Sequence, residues 1–136
     1  MARVLVVDDD EAIRALLREA LEDEGYAVQE AADGAQALGM LGRARPDAVL
    51  LDLMMPVLDG WGFLRAAANL PRAGLPIVVM SASPNLSAAA QEMQALGVRA
   101  WLPKPFDLDA LLGMVGQLCP AERPKMDRVP GRTDTA

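Results

Sequence analysis

Val4-Leu5-Val6-Val7-Asp8-Asp9-Asp10 joins four apolar residues to three acids and gives the clearest indication of fold class in the chain. Its apolar half is rich in β-branched residues, too short for a helix and without a polar face, so it reads as a strand buried on both sides. Immediately beyond the acids, Ile13, Leu16, Leu17, Ala20 and Leu21 recur at the i, i+3, i+4, i+7, i+8 spacing of one helical face. Asp9 or Asp10 is available as N-cap and Gly25 as terminator. A doubly covered strand that feeds an amphipathic helix is the first half of a βα unit, and such strands belong to parallel sheets.

The same unit recurs along the chain. Residues 26–31 alternate more loosely, as an edge strand does, and Asp33-Gly34 opens a helix carrying Ala35, Leu38 and Leu41. Ala48-Val49-Leu50-Leu51 is a third strand; after the Met55-Pro56 break and the Asp59-Gly60 turn, a helix places Trp61, Leu64 and Ala68 on one side. Ile77-Val78-Val79-Met80 is the fourth strand, and residues 87–96 form an alanine-rich helix that ends at Gly97. Ala100-Trp101-Leu102 is a short fifth strand, followed by a helix with Leu108, Leu111, Leu112, Val115 and Leu118 on its apolar face. The expectation is a flavodoxin-like, three-layer α/β domain with a five-stranded parallel sheet of order 2-1-3-4-5 and helices on both faces. It should occupy residues 1–119, because residues 120–136 lose all periodicity and read as a flexible tail.

Composition narrows the chemistry. A chain of 136 residues, 52% hydrophobic, can bury the core of one domain. Its 13 basic and 19 acidic residues leave a net charge of -6, which repels phosphate backbones and anionic lipids, so neither nucleic acid nor membrane is expected as a partner. No apolar run approaches the roughly 20 residues that span a bilayer and no signal-peptide pattern is present, which makes the cytoplasm the expected location. Cys119 is the single cysteine, read as a small hydrophobe near a helix end. The chain has no histidine, which removes the commonest general base and every Ser-His or Cys-His nucleophile. Carboxylates, hydroxyls and lysine must carry whatever chemistry there is.

Those residues fall at informative places. Asp8 and Asp9 follow the first strand, Asp52 the third, Ser81 the fourth and Lys104 the fifth. In a parallel sheet these carboxyl ends share one edge, and open α/β sheets bind ligands in the crevice outside it. Packed carboxylates repel and raise one another's pKa unless a cation neutralises them, and magnesium, which prefers oxygen ligands, suits such a set. Asp52 then remains a nucleophile for in-line attack on phosphorus, with Lys104 and the Ser81 hydroxyl able to contact phosphoryl oxygens.

Four segments together, LVVDDDE at 5–11, LLDLMMPVLDG at 50–60, MSAS at 80–83 and PKPF at 103–106, resemble the receiver domain of bacterial two-component response regulators over about residues 3–118. The resemblance implies a phosphoacceptor at Asp52 and magnesium held by Asp9, Asp52 and the Met54 carbonyl, with Asp8 acting largely through water. It also implies a switch hydroxyl at Ser81, a phosphate-binding lysine at Lys104, a switch aromatic at Trp101, and a phosphohistidine donor on a partner kinase or phosphotransfer protein. The implied activity is that of a signalling switch, not an enzyme with its own substrate, working as a monomer or a phosphorylation-dependent homodimer. Trp101 departs from the usual tyrosine or phenylalanine. Met54 offers no side-chain hydrogen bond to an attacking water, from which slow self-hydrolysis of the phosphoaspartate is expected.

Plainer readings compete with these. An acidic run after a strand is often just a helix N-terminus favoured by the macrodipole, and a lysine between Pro103 and Pro105 is often a turn residue, although Lys104-Pro105 is a candidate cis peptide. Trp61 and Phe63 read as core or helix surface. Asp8-x-Asp10 also fits a magnesium-dependent aspartyl phosphatase with Asp8 as nucleophile, and the same fold could serve as a binding module that has lost phosphorylation. No helix-turn-helix pattern or basic surface is present, so output is expected through another protein or a self-dimer.

Overall fold

Val4, Leu5, Val6 and Val7 are all fully buried, and they form the strand on which the domain is organised. The computed structural model describes residues 2–70, 74–82 and 87–121. Along them run β1 (Arg3–Val7), α1 (Glu11–Asp23), β2 (Ala27–Ala31), α2 (Gly34–Leu41), β3 (Ala48–Asp52), α3 (Gly60–Ala68), β4 (Ile77–Ser81), α4 (Ala90–Ala95), β5 (Val98–Pro103) and α5 (Leu108–Leu118). The strands make one parallel sheet in the order β2-β1-β3-β4-β5, as expected. Expectations for the tail fall, but for Pro120 and Ala121, outside the described residues.

Alternation along the strands splits the core in two. Leu5, Val7, Val49, Leu51 and Val79 pack with Ala37 and Leu41 of α2, Phe63 and Leu64 of α3 and Met93 of α4. Val4, Val6, Leu50, Val78 and Met80 pack on the opposite face with Leu17 and Leu21 of α1 and Leu111 and Val115 of α5. Each such fully buried aliphatic side chain contributes about 1.5–3 kcal/mol relative to exposure. Only a sheet covered on both faces makes Val4, Leu5, Val6 and Val7 all apolar, which is why that run has no polar phase.

Local signals set most helix ends. Asp10, Asp33, Asp59 and Asp107 each cap a helix by accepting from backbone amides of the first turn. Gly25 takes a φ of 98° just past α1, a conformation that glycine adopts without strain. Three expectations need correction. Leu16, placed on the apolar face of α1, is 50% exposed, because the sheet covers only the narrower Leu17–Leu21 stripe. On α3, Leu64 and the half-buried Trp61 pack on one cluster as expected, but Phe63 is fully buried with them and Ala68 is exposed. The helix expected over residues 87–96 begins as a 3-10 turn at Ser87–Ala89, since Ala89 supplies no side-chain cap for α4. Among the described residues, no helix is long and apolar enough to cross a membrane.

Candidate functional site

Parallel strands bring the expected side chains to one edge. Asp8 follows β1, Asp52 ends β3, Ser81 ends β4 and Lys104 follows β5. Because β1 and β3 are neighbours, and the connections from β1 and β3 leave toward opposite faces, the crevice lies between them. Asp8 and Ser81 are fully buried and Asp52 is 4% exposed, whereas Asp9 is exposed.

Lys104 crosses the sheet edge to reach the acids. Its backbone amide donates to the Ser81 carbonyl at 2.8 Å, continuing the β4–β5 ladder, and the Lys104-Pro105 peptide is cis, as expected. From there Nζ donates to Asp8 Oδ2 at 2.8 Å and to Asp52 Oδ2 at 3.1 Å. The remaining oxygens are held locally: Asp8 Oδ1 accepts from the Asp10 amide at 2.9 Å, and Asp52 Oδ1 from the Met54 amide at 3.1 Å.

Electrostatics follow from that packing. Burial pushes the Asp52 carboxyl above its ordinary range and Asp8 adds to the shift, while the Met54 amide and Lys104 pull it back. Burial alone would lower the Lys104 ammonium, but its hydrogen bonds and charge contacts with Asp8 and Asp52 outweigh that and raise it. One ammonium thus serves both Asp8 and Asp52, and one carboxylate oxygen from each of Asp8, Asp9 and Asp52 lies within 4.8 Å of the other two. The donor set is all oxygen and carries excess negative charge, which fits a hard divalent cation.

The loop from β3 to α3 is tightly tucked against Asp52. A Cβ on Gly60 would stand 2.5 Å from Leu53 Cα and 2.6 Å from the Asp52 carbonyl oxygen, so only glycine lets α3 start there. The loop also presents Met54 and Val57 to solvent, 66% and 83% exposed, with Val57 at a φ of 67°. Trp101 is half-buried against the core on the α2–α3–α4 face, beside Val79 in the sheet.

One reading loses ground here. Asp10 Oδ1 caps α1 by accepting from the Ala12 and Ile13 amides, so the acid two residues past Asp8 serves the helix and the Asp8-x-Asp10 phosphatase arrangement is disfavoured. Sequence reasoning missed Arg14, whose Nη1 donates to the Asp8 carbonyl at 2.7 Å. A signal for it existed in Glu30, an acid on a strand that otherwise reads as half-apolar.

An open parallel sheet of order β2-β1-β3-β4-β5, with acids and a lysine gathered at its carboxyl edge, defines the doubly wound, flavodoxin-like α/β class. Within that class this chain belongs to the response regulator receiver domain family, whose model matches residues 4–116. Response regulator MprA of Mycobacterium avium is 43% identical over 127 residues, which cover 92% of this chain and 54% of that relative. MprA of Mycobacterium leprae is 44% identical over 124 residues. The chain therefore spans about half the length of these curated relatives. Among solved structures, the chemotaxis response regulator CheY4 of Vibrio cholerae superposes with a TM-score of 0.79 at 36% identity, covering 87% of this chain and 98% of that one. The Francisella response regulator 1452 receiver domain gives 0.79 at 30% identity, with coverages of 87% and 96%. The chain is thus a receiver domain of the two-component signalling type, a family of switches that interact with histidine kinases or phosphotransfer proteins.

Proposed function

We propose that Asp52 accepts a phosphoryl group from a phosphohistidine on a partner kinase or phosphotransfer protein. In that step an Asp52 carboxylate oxygen attacks phosphorus in line, the phosphorus–nitrogen bond breaks, and the imidazole leaves with the electron pair. The observation that carries the reading is the convergence of Lys104 Nζ on Asp8 Oδ2 and Asp52 Oδ2 at 2.8 and 3.1 Å. An ammonium held there keeps Asp52 ionised against the cost of its burial and stands ready for a phosphoryl oxygen. Asp9, Asp52 and the Met54 carbonyl would hold Mg2+, with Asp8 acting through water, and the bound ion would neutralise charge on the transferred group.

Ser81, buried at the end of β4, and Lys104 contact the phosphoryl group in one of two pre-existing conformations, and those differential contacts drive the shift. Output passes through the surface around α4, β5 and α5, where Trp101 follows Ser81, and reaches another protein or a second copy of the chain. The domain works in the cytoplasm as a residue 1–119 unit.

Incubation with acetyl phosphate and magnesium followed by peptide mass mapping tests the assignment. A stable adduct on the peptide containing Asp52, absent from Asp52→Asn, is expected. Rapid turnover through Asp8 would restore the phosphatase, and a folded protein that takes no phosphate under any condition would restore the silent binding module.

A further inference from the structure

Arg14 has no part in the roles above, yet it is built into the site from behind. Its side chain is only 15% exposed. Nη1 donates to the Asp8 carbonyl at 2.7 Å and Nε to Glu30 Oε1 at 3.4 Å, while Arg18 Nη1 holds the other Glu30 oxygen at 2.7 Å. The Asp8 amide donates to the Ala31 carbonyl at 3.1 Å. Both backbone polar groups of Asp8 are therefore tied to β2, one directly and one through the Arg14–Glu30 pair.

Peptide planarity gives this tie its reach. The Asp8 carbonyl and the Asp9 nitrogen and Cα lie in one rigid plane, so holding the carbonyl sets the direction in which the chain departs toward Asp9. Asp8 and Asp52 are also held by hydrogen bonds to their own carboxylates. The Asp9 carboxylate is exposed and accepts no hydrogen bond from any described residue, so its backbone is what brings it within 4.8 Å of the others.

We propose that Arg14 is a positioning residue, which fixes the Asp8–Asp9 peptide through the Asp8 carbonyl and so sets the affinity of the acidic cluster for a divalent cation. The inference rests on the reading of that cluster as a magnesium site. A guanidinium suits the task because its planar fork serves a carbonyl and a carboxylate at once, which an ammonium does only with looser geometry. Removing a group that orients metal ligands from behind typically weakens binding by about 10- to 100-fold. Simple electrostatics points the other way, since deleting a positive charge would tighten cation binding.

Calorimetric titration with MgCl2 of the full chain, of Arg14→Met, Arg14→Lys and Glu30→Gln, with urea unfolding alongside, decides between them. The expected result is a Kd raised by about 10-fold or more in Arg14→Met and less in Arg14→Lys. An unchanged or lowered Kd in folded Arg14→Met overturns the proposal, whatever its effect on stability. If Arg14→Met does not fold, weaker binding in Arg14→Lys or Glu30→Gln supports it, and the unaltered chain's affinity in both overturns it. No binding heat in the unaltered chain would remove the magnesium reading itself and this inference with it.

Discussion

Lys104 Nζ stands 3.1 Å from Asp52 Oδ2, across 52 positions of sequence, and one ammonium is shared between Asp52 and the wholly buried Asp8. The crevice is thus under-neutralised by design of its own residues, and its behaviour depends on what further positive charge arrives.

Asp52 itself should cost stability when no cation is present. Asp52 has a pKa raised chiefly by burial, so the folded state keeps its proton to higher pH than the unfolded chain does. Within that window the folded form binds more protons, and stability falls as pH rises through it until the whole penalty is present. Asp52→Asn should therefore be the more stable protein at pH 7 without divalent ions, by roughly 1 kcal/mol, with the gap closing as pH falls toward about 4. Magnesium at about 100 times its Kd should add roughly 2.7 kcal/mol to the unaltered chain and little to the variant. Urea unfolding between pH 4 and 8 measures both; an unaltered chain that outlasts the variant throughout would mean that Lys104 pairing outweighs burial.

Glycines separate the loop that shapes the site from helix surfaces that do not. A Cβ at Gly60 would meet the backbone of Leu53 and Asp52, which cannot yield as a flexible side chain can. Gly60→Ala should cost about 1–3 kcal/mol and slow labelling of Asp52. Gly39→Ala and Gly113→Ala, on α2 and α5 with open space around the new methyl, should instead stabilise by about 0.5–1 kcal/mol. Thermal unfolding of the three variants checks the signs, and a neutral Gly60→Ala would show that the loop is not tightly seated.

Met54 bears on how long a signal lasts. It is 66% exposed, two residues past the acceptor, and a thioether cannot orient water for attack on an acyl phosphate. Met54→Asn and Met54→Glu place an acceptor there and should shorten the phosphoaspartate lifetime several-fold. Timed loss of phosphate after removal of the donor reports it; identical lifetimes in all three proteins would dismiss the idea.

Much of this was legible because burial on both sheet faces writes itself into sequence as unbroken apolar runs. Val4 to Val7, Ala48 to Leu51 and Ile77 to Met80 announce β1, β3 and β4, and the polar residue after each run marks the sheet edge where Asp8, Asp52 and Ser81 meet. Periodicity is a weaker guide to how wide a buried stripe is, so Leu16 was misplaced. It also fails for α4, where an alanine-rich stretch without a cap leaves the 3-10 entry to tertiary packing. Arg14 was missed for a different reason, with Glu30 as its one faint signal. Its partners are a backbone carbonyl and an acid on another strand, and neither is encoded by the spacing of α1.

Removal of Lys104 should separate stability from metal binding. Its ammonium is raised above the ordinary value because Asp8 and Asp52 outweigh burial, so its contribution is fully present below the unfolded pKa of about 10.4 and is lost only as pH climbs through the folded value. At pH 7 without divalent ions, Lys104→Met leaves two buried carboxylates facing each other with no cation. Breaking a buried pair costs about 3–5 kcal/mol, and because the lysine is 16% exposed the lower end of that range applies. Lys104 Nζ and a divalent ion also compete for the same Asp8 and Asp52 oxygens. The variant should therefore bind magnesium at least as tightly as the unaltered chain and regain most of its lost stability when the ion is added. Phosphorylation is expected to change the tryptophan fluorescence of the unaltered chain, and phosphorylated Lys104→Met, by contrast, should show a smaller change, because one of the two contacts that favour the active conformation is gone. Calorimetry, urea unfolding and fluorescence after acetyl phosphate treatment read the three effects separately. Weaker magnesium binding in the variant would mean that the lysine organises the acids instead of competing for them.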